Sequence, residues 1–261
     1  MFHFEMFSSS IATGITTRAQ VTSINNSVVP TLNKGFQVPS QLPFLHSVFG
    51  VSAHMGEVQM QTPRFLPYPY PNLNPNNRGT AFESPPRVWD FSRNPLPMNP
   101  TDELDCFATQ NAGSNETVYV GINFCDGPPT PAPAGQFLSV HWTSSTTLTA
   151  AAMSTVTPSI DTPLPAGLYA LVGVRVYSAT GLFFQMLPAT QPLWRPGGIC
   201  VQAYDSLDPP NQRAASYLYY PTLGWGQWLQ FRQNVPPQVN IYATSADTSQ
   251  EGWFDLVYVS P

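Results

Sequence analysis

From Asp102 onward, apolar and polar positions alternate in short runs separated by proline and glycine. The segment 117–124 (TVYVGINF) sets Val118, Val120, Ile122 and Phe124 on one face against Thr117, Tyr119 and Asn123 on the other, the two-residue period of a half-buried strand. The segment 168–177 (LYALVGVRVY) is apolar on both faces, which predicts a central strand covered on each side. Further runs at 103–109, 137–142, 182–187, 199–204, 227–233, 239–244 and 253–259 bring the expected number of strands to about nine. The turn Ala112-Gly113-Ser114-Asn115 is read as joining 103–109 to 117–124 in a hairpin. In 137–142, His141 shares a face with Phe137 and Ser139, opposite Leu138, Val140 and Trp142, because side chains alternate along a strand.

The first hundred residues follow a different pattern. Residues 1–56 are rich in Ser, Thr and Asn and are expected to form an N-terminal arm, with one short helix over 8–25. Residues 57–101 alternate proline with aromatic side chains. A residue before proline is pushed toward extended conformations, so this segment is expected to be extended and docked on the barrel or a neighbour. Residues 102–261 then form the folded domain. Its strand number and long connections fit an all-β, antiparallel jelly-roll sandwich better than an immunoglobulin-like one with tighter turns. The alternative is a double jelly roll, whose first barrel would draw on 1–130, where strand signals are sparse. No internal repeat of fixed period is visible.

Composition shifts attention from the fold to the surface. The chain has 29 prolines and one lysine, Lys34, against nine arginines. Proline at this density breaks long helices. Charged residues make up 10%, against roughly 25% in an ordinary soluble domain. A net charge of −5 with scattered arginines argues against direct nucleic-acid binding, which needs clustered cations opposite phosphates. The opening MFHFEMFSSS contains Glu5 and no Lys or Arg, unlike a secretory leader with its basic n-region. No run reaches the roughly 18 apolar residues of a membrane helix.

Candidate chemistry is sparse. Cys106, Cys125 and Cys200 are odd in number and do not make a complete disulfide framework; Cys106 and Cys125 are expected either to face each other on adjacent strands or to be buried thiols. His3, His46, His54 and His141 show no metal-ligand spacing, so no metal or other cofactor is expected. Asp102, Glu103 and Asp105 form one acidic group and Asp205 with Asp208 another, either of which a glycosidase would need to place across a cleft. Nucleophile-elbow and phosphate-loop motifs are absent. Phe65, Tyr68, Tyr70, Trp89, Trp194, Arg195 and Trp225 are the candidate subunit contacts, because interfaces favour aromatics and arginine over lysine.

The runs NPLPMNPTDELDCFATQNAGSNETVYVGINFCDGP, LPAGLYALVGVRVYSATGLFFQMLP, WRPGG, GWGQWLQF and EGWFDLVYV together resemble jelly-roll coat proteins of tailless icosahedral viruses, in the style of phages with an internal membrane. The resemblance spans roughly residues 94–261 and is one of pattern. It implies a non-enzymatic structural subunit of a virion that assembles with itself, as trimeric capsomers or a lattice, and meets other capsid proteins or a membrane layer. The chain departs from genome-binding coats in having no basic arm. The alternative functions are a carbohydrate-binding β-sandwich and a receptor-binding spike.

Overall fold

The computed structural model describes residues 1–13, 18–24, 31–32, 35–51, 55–63, 70–73, 88–91, 93–110, 113–128, 130–189, 194–200 and 226–261. No α-helix occurs among them. The chain divides into two compact units, His3–Pro128 and Pro129–Pro261, the latter with Met1–Phe2.

The first unit is built from β1 (Phe2–Ile11), β2 (Ala19–Ser23), β3 (Thr31–Leu32), β4 (Gly35–Gln37), β5 (Phe44–Val51), β6 (Met55–Gln61), β7 (Tyr70–Leu73), β8 (Val88–Asp90), β9 (Leu96–Pro97), β10 (Glu103–Gln110) and β11 (Glu116–Cys125). One row runs β1-β11-β5-β8 and another β2-β10-β6-β7, joined where β1 pairs with β2 in a single curled sheet. The short β3–β4 hairpin extends β10, and β9 caps β5.

The second unit contains β12 (Phe137–Ser144), β13 (Ala152–Val156), β14 (Ser159–Ile160), β15 (Leu168–Ser178), β16 (Gly181–Leu187), β17 (Gly197–Ile199), β18 (Leu229–Arg232), β19 (Gln238–Ala243) and β20 (Gln250–Ser260). One sheet runs β14-β12-β20-β15-β18 and the other β13-β19-β16-β17.

Without the short strands β3, β4, β9 and β14, each unit has eight strands among the described residues. Numbered in chain order, they are arranged 1-8-3-6 and 2-7-4-5 in both units. Strand one meets eight, two meets seven, three meets six and four meets five. This is a long antiparallel ribbon wound on itself, the double Greek key of a jelly roll. The protein is therefore all-β and antiparallel as expected, and it contains two rolls, the stated alternative, rather than the single roll that was favoured.

Several expectations for the first half fail together. Residues 1–56 supply β1, β2, β4 and β5 to the first roll instead of lying apart as an arm. Strands occupy Ser8–Ile11 and Ala19–Ser23 where a helix was expected. The structural boundary falls at 128/129, not at 101/102. Strands β10 and β11 are not a hairpin: β10 lies between β2 and β6, while β11 lies between β1 and β5. Sequence adjacency and a turn invite local pairing, but strands seven and eight of a rolled ribbon belong to opposite rows.

The cores follow the alternation. In the first roll Val118, Val120, Ile122 and Phe124 are fully buried, and Phe124 lies 5.1 Å from Phe36. In the second, Trp142, Val174, Phe254 and Leu256 line the interior side of the longer sheet, with Trp142 and Phe254 rings 5.7 Å apart. Strand β15 is covered on both faces, as its doubly apolar sequence requires: Ala170 and Tyr177 are buried like Leu171 and Val176.

Candidate functional site

A group of linked polar and aromatic side chains lies on the second roll, on the face of the longer sheet opposite Trp142 and Phe254. Cross-strand register assembles it. Ser139 of β12 stands opposite Asp255 of β20, which stands opposite Gly173 of β15. One step along, His141, Trp253 and Arg175 form a second row, and Thr143, Glu251 and Tyr177 a third. A register shift between Leu171 and Gly173 resets the outward face of β15. Gly173 then offers Asp255 room: a Cβ there would sit 2.9 Å from Asp255 Oδ2.

Two linked motifs result. Arg175 Nη2 donates to Asp255 Oδ1 at 2.9 Å and to Ser139 Oγ at 2.6 Å, and Ser139 Oγ–H donates to the same carboxylate at 2.7 Å. Asp255 is buried, and its Oδ2 has no hydrogen-bond partner among the described residues. The guanidinium also lies 5.2 Å from the centre of the Trp253 ring. On the other side of Trp253, 4.4 Å away, is His141. Its Nδ1 lies 2.5 Å from Asp161 Oδ2 and its Nε2 3.5 Å from Glu251 Oε2. Both imidazole nitrogens thus face carboxylates, and Ser139 is bonded to Asp255 and Arg175. The hydroxyl–imidazole contact that activates a serine nucleophile is not made here. The arrangement ties four segments together by charge-assisted bonds.

A second acidic pair, foreseen in the sequence, is on the first roll. Glu103 and Asp105 share a face of β10, and Gln20 Nε2 donates to Asp105 Oδ1 at 2.7 Å. Gly35 lies beneath both: a Cβ there would be 2.5 Å from Asp105 Oδ1 and 2.6 Å from Glu103 Cγ. Burial, with the neighbouring Asp105 charge, holds the Glu103 carboxyl above its ordinary value of 4.5, and burial raises Asp105 above 3.8. A carboxyl raised in the folded state binds its proton more tightly there than in the unfolded chain. Its ionisation therefore removes stability as pH rises from the ordinary value through the raised one. Glu103→Gln is expected to raise the melting temperature at neutral pH, with the gain shrinking to nothing as pH falls below 4.5; thermal melts across that range measure it.

All three cysteines are free and buried. Burial pushes the Cys106 and Cys200 thiols far up and Cys125 to about 11, so they remain protonated and unreactive. Cys106 and Cys125 sit on strands of opposite rows and are not bonded. Among the described residues no group of three His, Cys, Asp or Glu side chains could hold a metal ion. His3 and His46 are buried in the first roll, His3 with Glu5 at 3.5 Å.

Of the seven expected contact residues, Tyr70, Trp89, Trp194 and Arg195 lie among the described residues. Phe65, Tyr68 and Trp225 lie outside the described residues, as do His54, Asp205 and Asp208. Tyr70 and Trp89 are placed by backbone alone, Tyr70 opposite Met60 and Trp89 opposite Val48. Trp194 and Arg195 are half-buried immediately before β17, and burial lowers the Arg195 guanidinium from its ordinary value. Sequence reasoning missed Arg175 and Asp255. Each is the single charge inside an apolar strand run, LYALVGVRVY and WFDLVYV, which signals a buried charge with a partner.

No protein-family model and no curated protein matches the sequence. Among solved structures, the chain aligns over its whole length with 98% of the major capsid protein P2 of bacteriophage PM2, at 10% identity and a TM-score of 0.27.

Proposed function

We propose that this protein is a coat subunit of an icosahedral virion, a non-enzymatic part that assembles with copies of itself. The observation that carries the reading is that one chain winds two eight-strand rolls with the same pairing order. Three such chains supply six topologically equivalent rolls, a number suited to the six near-equivalent places in a shell lattice. A trimeric capsomer is therefore the assembly unit we favour. Its surface chemistry supports the same reading. Charged residues at 10% and one lysine against nine arginines leave little repulsion between copies and match the arginine-rich, lysine-poor composition of protein interfaces.

The test is the state of the purified chain. Sedimentation velocity and negative-stain microscopy are expected to show trimers, larger capsomers or shells. A clean monomer at high concentration overturns the proposal, and a monomer that binds glycans on an array would establish the carbohydrate-binding alternative instead.

A further inference from the structure

Strand β12 is paired along its whole length on one side and only toward its far end on the other. Phe137 to Ser144 all have partners in β20, whereas β14 meets Trp142 and Thr143. Two backbone bonds show which groups point where. Tyr258 N–H donates to Gln136 O on the β20 side at 2.9 Å, and Asp161 N–H donates to His141 O on the β14 side at 3.2 Å. In an antiparallel strand the N–H and C=O of one residue point the same way, and the direction alternates from residue to residue. Phe137 and Ser139 therefore turn both groups toward the open edge, and none of the described residues bonds to them. This edge is undefended as well. The run Phe137-Leu138-Ser139-Val140 has no charge, proline or bulge, the features that keep an edge from being joined. The Phe137 side chain stands 53% exposed at its start.

We propose that this edge is joined by the same edge of a second copy, β12 against β12, across a two-fold axis at Leu138. The groups available fix the position of the axis. With Leu138 opposite its own counterpart, Phe137 faces Ser139 of the second copy, and Ser139 faces Phe137 of the second copy. Each of these pairs exchanges two hydrogen bonds, so all four open groups of each copy are used. The two Leu138 side chains then meet in the close, non-hydrogen-bonded pair between them. An axis at Ser139 would instead set Phe137 against His141 of the second copy, whose carbonyl already accepts from Asp161. A two-fold contact is self-complementary and needs no second surface, and uncharged strands meet without like-charge repulsion. The chain before Phe137 is held away from the edge, because Gly135 is pressed on β20, where an added Cβ would lie 2.2 Å from Tyr258 O. The pairing rests on the coat reading only in naming a copy as the partner, and it gives trimeric capsomers a contact with one another.

Cysteine cross-linking reads the register. Leu138→Cys, at a half-buried position, places two thiols across the axis on Cα atoms about 4.5 Å apart, within disulfide range. Under mild oxidation most of this variant is expected to run as a covalent dimer. The native cysteines are buried and free and do not compete. In Phe137→Cys the two like residues stand about 8 Å apart, beyond that range, and the dimer yield is expected to be at least about tenfold lower. Sedimentation of Phe137→Pro against Phe137→Ala, with no cysteine added, reads the contact independently. Proline removes an N–H that points away from β20, so the sheet keeps its ladder. It removes two hydrogen bonds per contact, and its association is expected to be about tenfold weaker than that of the alanine variant. No dimer from Leu138→Cys overturns the pairing, as do equal yields from Leu138→Cys and Phe137→Cys or equal association of the proline and alanine variants. Trimers without the Leu138→Cys dimer sink the pairing and leave the coat reading standing; that dimer without trimers or larger assemblies does the reverse.

Discussion

Asp255→Ala is expected to destabilise the second roll by about 3–5 kcal/mol, the loss seen when a buried charge is stripped of its partner. Asp255 accepts from Arg175 and Ser139 while buried between β12 and β15, and the Arg175 side chain is only 16% exposed. Alanine removes the acceptor and leaves the guanidinium held by a sheet that no longer offers its carboxylate. Arg175→Met performs the converse and leaves the carboxylate buried, so it is expected to be comparably costly. The double variant Asp255→Leu with Arg175→Met is expected to recover most of the loss, because an apolar pair of similar volume does without the desolvation of both ions. Urea unfolding followed by near-ultraviolet circular dichroism measures all three. A double variant as unstable as either single one would show that the pair contributes net stability beyond filling its site.

The same two residues show where sequence reading succeeds and where it stops. The class of fold was legible because alternation is local: Val118, Val120, Ile122 and Phe124 point one way on β11, and His141 and Ser139 share the outward face of β12, as read. Most strands of the second roll were read from the sequence, but β14 was not, the expected run 199–204 meets β17 only at Ile199 with 201–204 outside the described residues, and β13 was missed. Its sequence AMSTV is short and mixed, with little apolar signal. The first roll was legible only as an alternative, with β10 and β11 foreseen and its other strands not, for a different reason. β1 is buried along Phe2–Phe7, with His3 and Glu5 inside the roll, and charges in an apolar run look like surface. Pairing lies beyond local pattern altogether. The juxtaposition of Ser139, Asp255 and Arg175 depends on the register of three strands more than a hundred residues apart at the extremes (139 to 255) and on the irregularity at Leu171–Gly173. Contacts of such long sequence separation are set by the whole topology.

The second large effect is expected at Gly252, where one added methyl group meets atoms that cannot yield. Gly252 lies in β20 between Trp142 of β12 and Val176 of β15. A Cβ there would stand 2.2 Å from the carbonyl oxygen of Arg175 and 2.5 Å from Trp142 Cζ2. The first atom belongs to the backbone of a paired strand, and the second to a fully buried indole. Overpacking a core commonly costs 1–3 kcal/mol, and a clash with backbone belongs at or above the upper end, so Gly252→Ala is expected to lose about 3 kcal/mol or more. Shrinking the ring separates the two contributions. Adding Trp142→Leu relieves the indole contact but not the carbonyl, and it opens a cavity of its own, so it is expected to leave the alanine variant far below wild type. Gly113→Ala is the control, because nothing lies within 4 Å of its added Cβ; its stability is expected to stay within about 0.5 kcal/mol of wild type. Denaturation midpoints of the variants decide the matter: if Gly252→Ala matches Gly113→Ala, β20 does not pack against β15 and Trp142 as closely as described.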